Sequence, residues 1–186
     1  HLGKKTKALD IIKSSIAMGS DVPACIYSTP LLCEGLGEKI TLCKKPYPKK
    51  LGIILINPRE NLRTKDVFNK LQLKNKAIFK TTKPLELDTI KNIIKVVKIG
   101  NDLIDVSTKD VSSIQVILDS LNSILYCKGF GMTGSGATCF GIFSSIQEAN
   151  QACKIIRSLP FLKNHWFWFG GGYEDCGSHS KFFRIK

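Results

Sequence analysis

An α+β fold is predicted by three features of the sequence. A strand-like apolar run, Leu51 to Asn57, is closed by Pro58; several segments carry apolar residues at helical spacing; and two short strand-like runs flank the glycine turn Gly134-Ser135-Gly136. Such runs and stripes are what a sheet with helices packed on one face requires, because each element must bury one side.

The elements follow in order. Ala8, Ile11, Ile12 and Ile16 share one face of a first helix, which predicts an amphipathic segment and, with His rather than Met at position 1, a chain entered midway. Ala17 to Pro23 is a glycine-punctuated turn leading into the apolar stretch Ala24 to Tyr27. Glu34-Gly35-Leu36-Gly37-Glu38 is a second turn, and Ile40 to Cys43 is strand-like. Lys44 to Lys50 holds two prolines and four lysines, so it neither continues a helix nor sits inside a sheet, and a domain boundary is placed there. Residues 1–45 form one part, 46–172 a second, and 173–186 a tail without assignment.

The second part is the more complete unit. After the strand Leu51 to Asn57, Thr64 to Leu73 reads as a short helix, and Lys83 to Lys98 as another through Leu87, Ile90, Ile93, Ile94 and Val97. Val111, Ile114, Ile117, Leu118, Leu121, Ile124 and Leu125 give the clearest helical stripe. Gly129 to Thr133 and Ala137 to Phe143 are strands. Ser145-Ile146-Gln147-Glu148 has the form of a capping box, and the helix it opens ends at Pro160. Trp166 to Phe169 is the last strand. The order strand, helices, strand, strand, helix, strand is the split βαβ arrangement of a ferredoxin-like layer.

Composition limits the function. The 186 residues are 43% hydrophobic and 23% charged, as in an ordinary globular protein, and no apolar run approaches the ~20 residues of a membrane span. Seven cysteines without a C-x-x-C pair fit reduced thiols, and the first ten residues show no apolar signal-peptide core, so a cytoplasmic setting is expected. Cys176 and His179 are two ligands where a tetrahedral metal site needs four, so no metal site is assigned. The net charge of +13 comes from 24 Lys and only 4 Arg spread along the chain. That pattern argues against a nucleic-acid binder, while its field would still attract nucleotides and other anions.

Three places could carry chemistry. In Gly19-Ser20-Asp21-Val22-Pro23 an aspartate between a glycine turn and an apolar Val-Pro is expected to be partly enclosed, where its charge would be strongly felt. The same spacing also describes a helix cap with Pro in the first turn. Thr133-Gly134-Ser135-Gly136 would let backbone approach a ligand closely or bind an anion through exposed N–H groups, and it equally describes a plain hairpin turn. Glu34 and Glu38 offer a pair of carboxylates in a glycine turn, with no histidine nearby.

Taken together, Gly19 to Pro23, Glu34 to Glu38, Asn57-Pro58 with Thr64 and Val67-Phe68, Asn101-Asp102-Leu103, and Met132 to Ala137 are similar in order and spacing to the GHMP kinase superfamily. The resemblance spans about Ile11 to Phe169. It implies the end of the N-terminal kinase domain followed by the ferredoxin-like C-terminal domain. The activity it implies is ATP-dependent phosphorylation, with Mg2+, of the 2-hydroxyl of a cytidyl-diphosphate-linked methylerythritol in non-mevalonate isoprenoid synthesis. It further implies that Asp21 is the catalytic aspartate, that Thr64 lies near the substrate, and that Thr133, Gly134, Ser135 and Gly136 form the glycine turn beside the phosphate site. The family's nucleotide loop and its N-terminal lysine have no counterpart and would lie upstream of His1, so these residues alone are expected to be inactive. Ser28 to Leu32 departs from the family's small-residue stretch. The alternative reading is a basic α+β nucleic-acid-binding module in which Trp166 to Phe169 stack bases.

Overall fold

The computed structural model describes residues 14–27, 29–35, 37–43, 48, 51–71, 86–162 and 164–171. The chain divides into two compact units, one built mainly on residues 1–46 and the other on 47–78 and 89–174.

In the first unit a single 3-10 turn, Ile16–Met18, leads to helix α1 (Val22–Tyr27). Strands β1 (Leu31–Glu34) and β2 (Lys39–Leu42) then form an antiparallel hairpin with Glu34 opposite Lys39. The stretch Ala24 to Tyr27 is therefore helical, and β1 occupies a segment that sequence alone left unassigned. Ala8, Ile11 and Ile12 lie outside the described residues.

The second unit carries a four-stranded antiparallel sheet in the order β4-β5-β3-β6, where β3 is Gly52–Asn57, β4 Gly129–Met132, β5 Cys139–Phe143 and β6 Trp166–Gly171. Helices α2 (Thr64–Lys70), α3 (Ile90–Val97), α4 (Ile104–Asp110) and α5 (Ser113–Asn122) fill the first crossover, and α6 (Ile146–Arg157) the second. This is the expected split βαβ layer, with four helices among the described residues of the first crossover where the simplest version has one.

Burial explains the elements. β3 alternates buried and half-buried positions, with Ile54 and Ile56 inaccessible to solvent. On α5 the residues Ile114, Ile117, Leu118 and Leu121 are buried, and on α6 Ala149, Ala152, Cys153 and Ile156. Both sets have the three-and-four spacing of one helical face and join Phe143, Met132 and Leu162 in one core. At the start of α6 the Ser145 hydroxyl accepts from the Glu148 N–H at 3.2 Å. The Glu148 carboxylate accepts from the Ser144 N–H at 2.9 Å, one residue earlier than in the standard box.

Three helical expectations change. Lys83 to Lys98 is helical only over Ile90–Val97, with Thr89 as an extended cap and 83–85 outside the described residues. Thr64 to Leu73 is helical only to Lys70, after which Leu71 is extended and 72–73 are not described. The stripe from Val111 to Leu125 is interrupted at both ends. Val111 is the buried link between α4 and α5, and α5 stops at Asn122, leaving Leu125 97% exposed. A chain that turns back into β4 cannot keep the last stripe position on the core face.

Two tests follow from this packing. At Gly52 a Cβ would overlap the Ser145 carbonyl and sit 2.8 Å from the Ala149 Cβ, so α6 rests directly on β3. Gly52→Ala should destabilise by about 1–3 kcal/mol in denaturant titration. Gly129→Ala, whose Cβ would meet Val97 and Ile94 no closer than 3.5 Å, should change stability by much less. His165, just before β6, has both ring nitrogens buried without a hydrogen-bond partner, and burial holds its pKa below the ordinary value while Glu60 partly opposes that shift. A depressed histidine binds its proton more readily unfolded, so its stability is present at neutral pH and is lost as pH falls through about 6.5 toward the folded value. Thermal melts should therefore show a smaller drop in Tm from pH 7.5 to 5 for His165→Phe than for the parent.

Candidate functional site

The first unit presents Asp21 on a turn closed by the Val22 N–H donating to the Gly19 carbonyl at 3.2 Å. Helix α1 starts at the next residue, and the Asp21 carbonyl accepts from the Cys25 N–H at 3.2 Å. Pro23 is buried in the first helical turn, where its missing N–H costs nothing. The Asp21 side chain is exposed, which corrects the enclosure expected from its glycine and Val-Pro neighbours. The turn that carries Asp21 ends on the exposed surface of this unit.

The Glu34 to Glu38 turn lies against the Asp21 turn. Gly37, buried and at φ 93°, places its Cα against the Ser20 carbonyl, and any Cβ there would collide with it. Gly35, at φ 70°, leaves room for the Glu38 carboxylate folded back over it. Both glycines are thus required by a left-handed backbone and by close approach. The Cys33 thiol on β1 is pushed up by partial burial and, secondarily, by the negative charge of Asp21, so the charge of the aspartate is felt at this hairpin. Two of the motifs singled out in sequence are therefore neighbours.

The second unit gathers the others at one end of its sheet. The Asn57 amide donates to the Thr138 hydroxyl at 2.8 Å and accepts from the Arg59 N–H at 2.7 Å. That second bond accompanies a left-handed backbone at Arg59, φ 61°, a conformation that costs energy for a residue other than glycine. Thr64, at the start of α2, shares a hydrogen bond of 2.9 Å with the Ser135 hydroxyl, 71 residues away. The turn itself closes through the Gly136 N–H donating to the Thr133 carbonyl and the Thr133 N–H to that of Thr138, both 2.9 Å. Gly134 and Gly136 have φ of 50° and 94°. Thr133 is exposed and Ser135 half-buried.

Three further bonds reach this turn from the helical side. Asn101 donates to the carbonyls of Met132 and Gly134 at 3.0 and 2.7 Å, and Ser107 of α4 donates to the Ser135 carbonyl at 2.9 Å. Ser107 and Thr138 were not singled out by sequence. Asn101 stands among the motif residues of the resemblance without an assigned role, although an asparagine three residues before a helix start is a recognisable turn signal. Beside Thr64, a cleft of about 520 Å3 between α2 and α4 is lined by Asn61, Arg63, Asp66 and Asn69. Lys70 and Asp110 also line it, and Lys70 donates to both Asp110 carboxylate oxygens, at 2.6 and 2.8 Å. Among the described residues no group of three His, Cys, Asp or Glu side chains could hold a metal ion, and no helix is long and apolar enough to cross a membrane.

Comparisons with known proteins place this geometry. The GHMP kinases C-terminal family matches residues 101–160, from the Asn101 turn to the end of α6. A protein of Bartonella bacilliformis named 4-diphosphocytidyl-2-C-methyl-D-erythritol kinase is 30% identical over 179 residues, covering 92% of this chain and 55% of that protein. A protein of Ehrlichia canis with the same name is 37% identical over 145 residues, 77% of this chain and 50% of its own length. The chain thus spans about half the length of the curated relatives it matches. Its fold is similar to that of a solved 4-(cytidine 5'-diphospho)-2C-methyl-D-erythritol kinase, with a TM-score of 0.62 at 17% identity, covering 90% of this chain and 59% of that one. It is also similar to that of a homoserine kinase from Cytophaga hutchinsonii, with a TM-score of 0.53 at 16% identity. Residues 101–160 thus match the GHMP kinases C-terminal family, within a sequence similar over most of its length to proteins named 4-diphosphocytidyl-2-C-methyl-D-erythritol kinase.

Proposed function

We propose that this chain is the carboxy-terminal portion of an ATP-dependent kinase that phosphorylates the 2-hydroxyl of 4-diphosphocytidyl-2-C-methyl-D-erythritol, acting in the cytoplasm in non-mevalonate isoprenoid synthesis. In this reading residues 1–45 end the nucleotide-binding domain, 46–172 are the second domain, and the role of 173–186 stays open. The observation that carries the proposal is the convergence of separated motif residues. Thr64 bonds Ser135, and Asn101 bonds Gly134, at a turn whose glycines would let a phosphate or sugar approach backbone.

Asp21 has the part of base. Its carboxylate accepts or orients the proton of the attacking hydroxyl, a positioned proton transfer that contributes roughly 10²–10⁴-fold in enzymes generally. Exposure suits that role, since an acceptor must reach the carboxylate from solvent. Thr64 and Ser135 present two hydroxyls, each able to donate or accept, toward the acceptor's own hydroxyls. ATP supplies the transferred phosphoryl group. Mg2+, which the kinase reading implies, would be held by one or two carboxylates together with substrate phosphates and water.

Expressed from the longest reading frame that contains these residues, the protein should phosphorylate the cytidyl substrate in an ATP-dependent assay. Asp21→Asn should lower kcat about 10²-fold or more with KM changed little. Wild-type rates from the Asp21→Asn variant would remove Asp21 from the chemistry.

A further inference from the structure

We infer that Asn101 and Ser107 are positioning residues, which hold the Thr133–Gly136 turn in the shape that pairs the Ser135 hydroxyl with that of Thr64 and so act on phosphoryl transfer through that turn. This rests on the kinase reading above.

The tip of the turn has little packing of its own, whereas its last glycine, Gly136, sits against Met132, Leu62 and Ile114. Both glycines are at positive φ, and at Gly134 an added Cβ would meet no atom within 4 Å, so the tip projects into open space. To the backbone bonds that close it, three hydrogen bonds from outside are added on three different carbonyls, those of Met132, Gly134 and Ser135. Fixing a carbonyl fixes its peptide plane. With the planes after Met132, Gly134 and Ser135 held, the Cα of Ser135 lies between two fixed planes, and its hydroxyl is aimed at Thr64.

The chemistry of the two clamping residues fits this use. A side-chain amide offers two donors and an acceptor. Asn101 spends its two donors on the turn, while its Oδ1 accepts from the Leu103 N–H at 2.9 Å and its backbone carbonyl from the Ile104 N–H at 3.1 Å. The clamp is thereby anchored to the start of α4. Aspartate has no such donors and would set a negative charge against two carbonyls. Ser107 departs from the habit of helical hydroxyls, which bond back to the preceding turn of their own helix. Thr108 does so to the Ile104 carbonyl at 2.9 Å, and Ser120 to that of Val116 at 2.7 Å. Ser107, fully buried, instead reaches across to Ser135.

The test uses the protein from its longest reading frame, with Asn101→Asp, Ser107→Ala and Ser107→Cys, read by thermal melting, by kcat and KM, and by amide exchange at residues 134–136. Positioning predicts faster exchange in the turn, kcat lower by roughly 10- to 100-fold per folded molecule, and KM within about two-fold. Ser107→Cys, which keeps a weak donor, should recover part of the loss. Wild-type kcat in folded Ser107→Ala and Asn101→Asp overturns the inference and leaves the kinase reading standing. A parent protein that transfers no phosphate overturns both. If Ser107→Ala does not fold, Asn101→Asp at its half-buried site decides alone.

Discussion

Strand β3 is hydrogen-bonded along both edges, to β5 on one side and β6 on the other, and the arrangement of the second unit depends on that constraint. Because every pairing is antiparallel, Ile56 lies opposite Cys139, Asn57 opposite Trp166, and Met132 opposite Cys139. The end of β3, the β4–β5 turn and the start of β6 are therefore forced to the same end of the sheet. Residues distant in sequence, such as Thr64 and Ser135, meet because the register leaves them nowhere else to go. The same constraint brings His165 to the edge of this cluster, where it neighbours Glu60.

The sheet fixes where the turn is, and the helices fix its shape. α5 and α6 contribute apolar faces, and their close seating shows in the glycines beneath them. A Cβ at Gly141 would sit 2.8 Å from Leu121, as one at Gly52 would from Ala149. α4 contributes differently. Its only buried residue is Ser107, a polar side chain whose burial is tolerated because its hydrogen bond is made. Beyond the contact that Leu103 and Ile104 make with the edge of the core, what this helix provides is a fixed donor beside the turn.

That division explains what could be read in sequence. β3, α5 and α6 announce themselves because burying one face imposes a period on apolar residues, and Ser145 with Glu148 marks the start of α6. α4 was missed because Ile104 to Asp110 carries no apolar stripe and is held in place by Ser107 and the Asn101 turn. β1 was missed because Leu31 to Glu34 is too short to alternate visibly. Leu125 was read as core because it continues a spacing that the chain abandons after Asn122. Asp21 was expected to be enclosed from its neighbours in sequence, yet its exposure is set by where a turn ends, which local composition does not encode. The glycine turn was legible as a turn; that Thr64, Asn101 and Ser107 hold it was not, since no local pattern records contacts made across 28 to 71 residues.

Phosphoryl transfer asks for less from a base than from alignment, because the transferring group carries most of its charge on its own oxygens and passes through a loose transition state. On the proposed reading, what matters at Asp21 is less its basicity than the backbone that presents it. There the structure is specific. Gly37 has its Cα against the Ser20 carbonyl, in a left-handed conformation, so the turn bearing Asp21 is braced by the neighbouring hairpin at a spot where no other residue fits. In each unit, then, a glycine-dependent backbone contact or a turn held by donated hydrogen bonds presents an exposed or half-buried polar side chain. An exposed carboxylate left on a free loop would sample many directions, and the entropy of choosing one would be charged against the reaction. Bracing through Gly37 removes part of that cost before any substrate arrives.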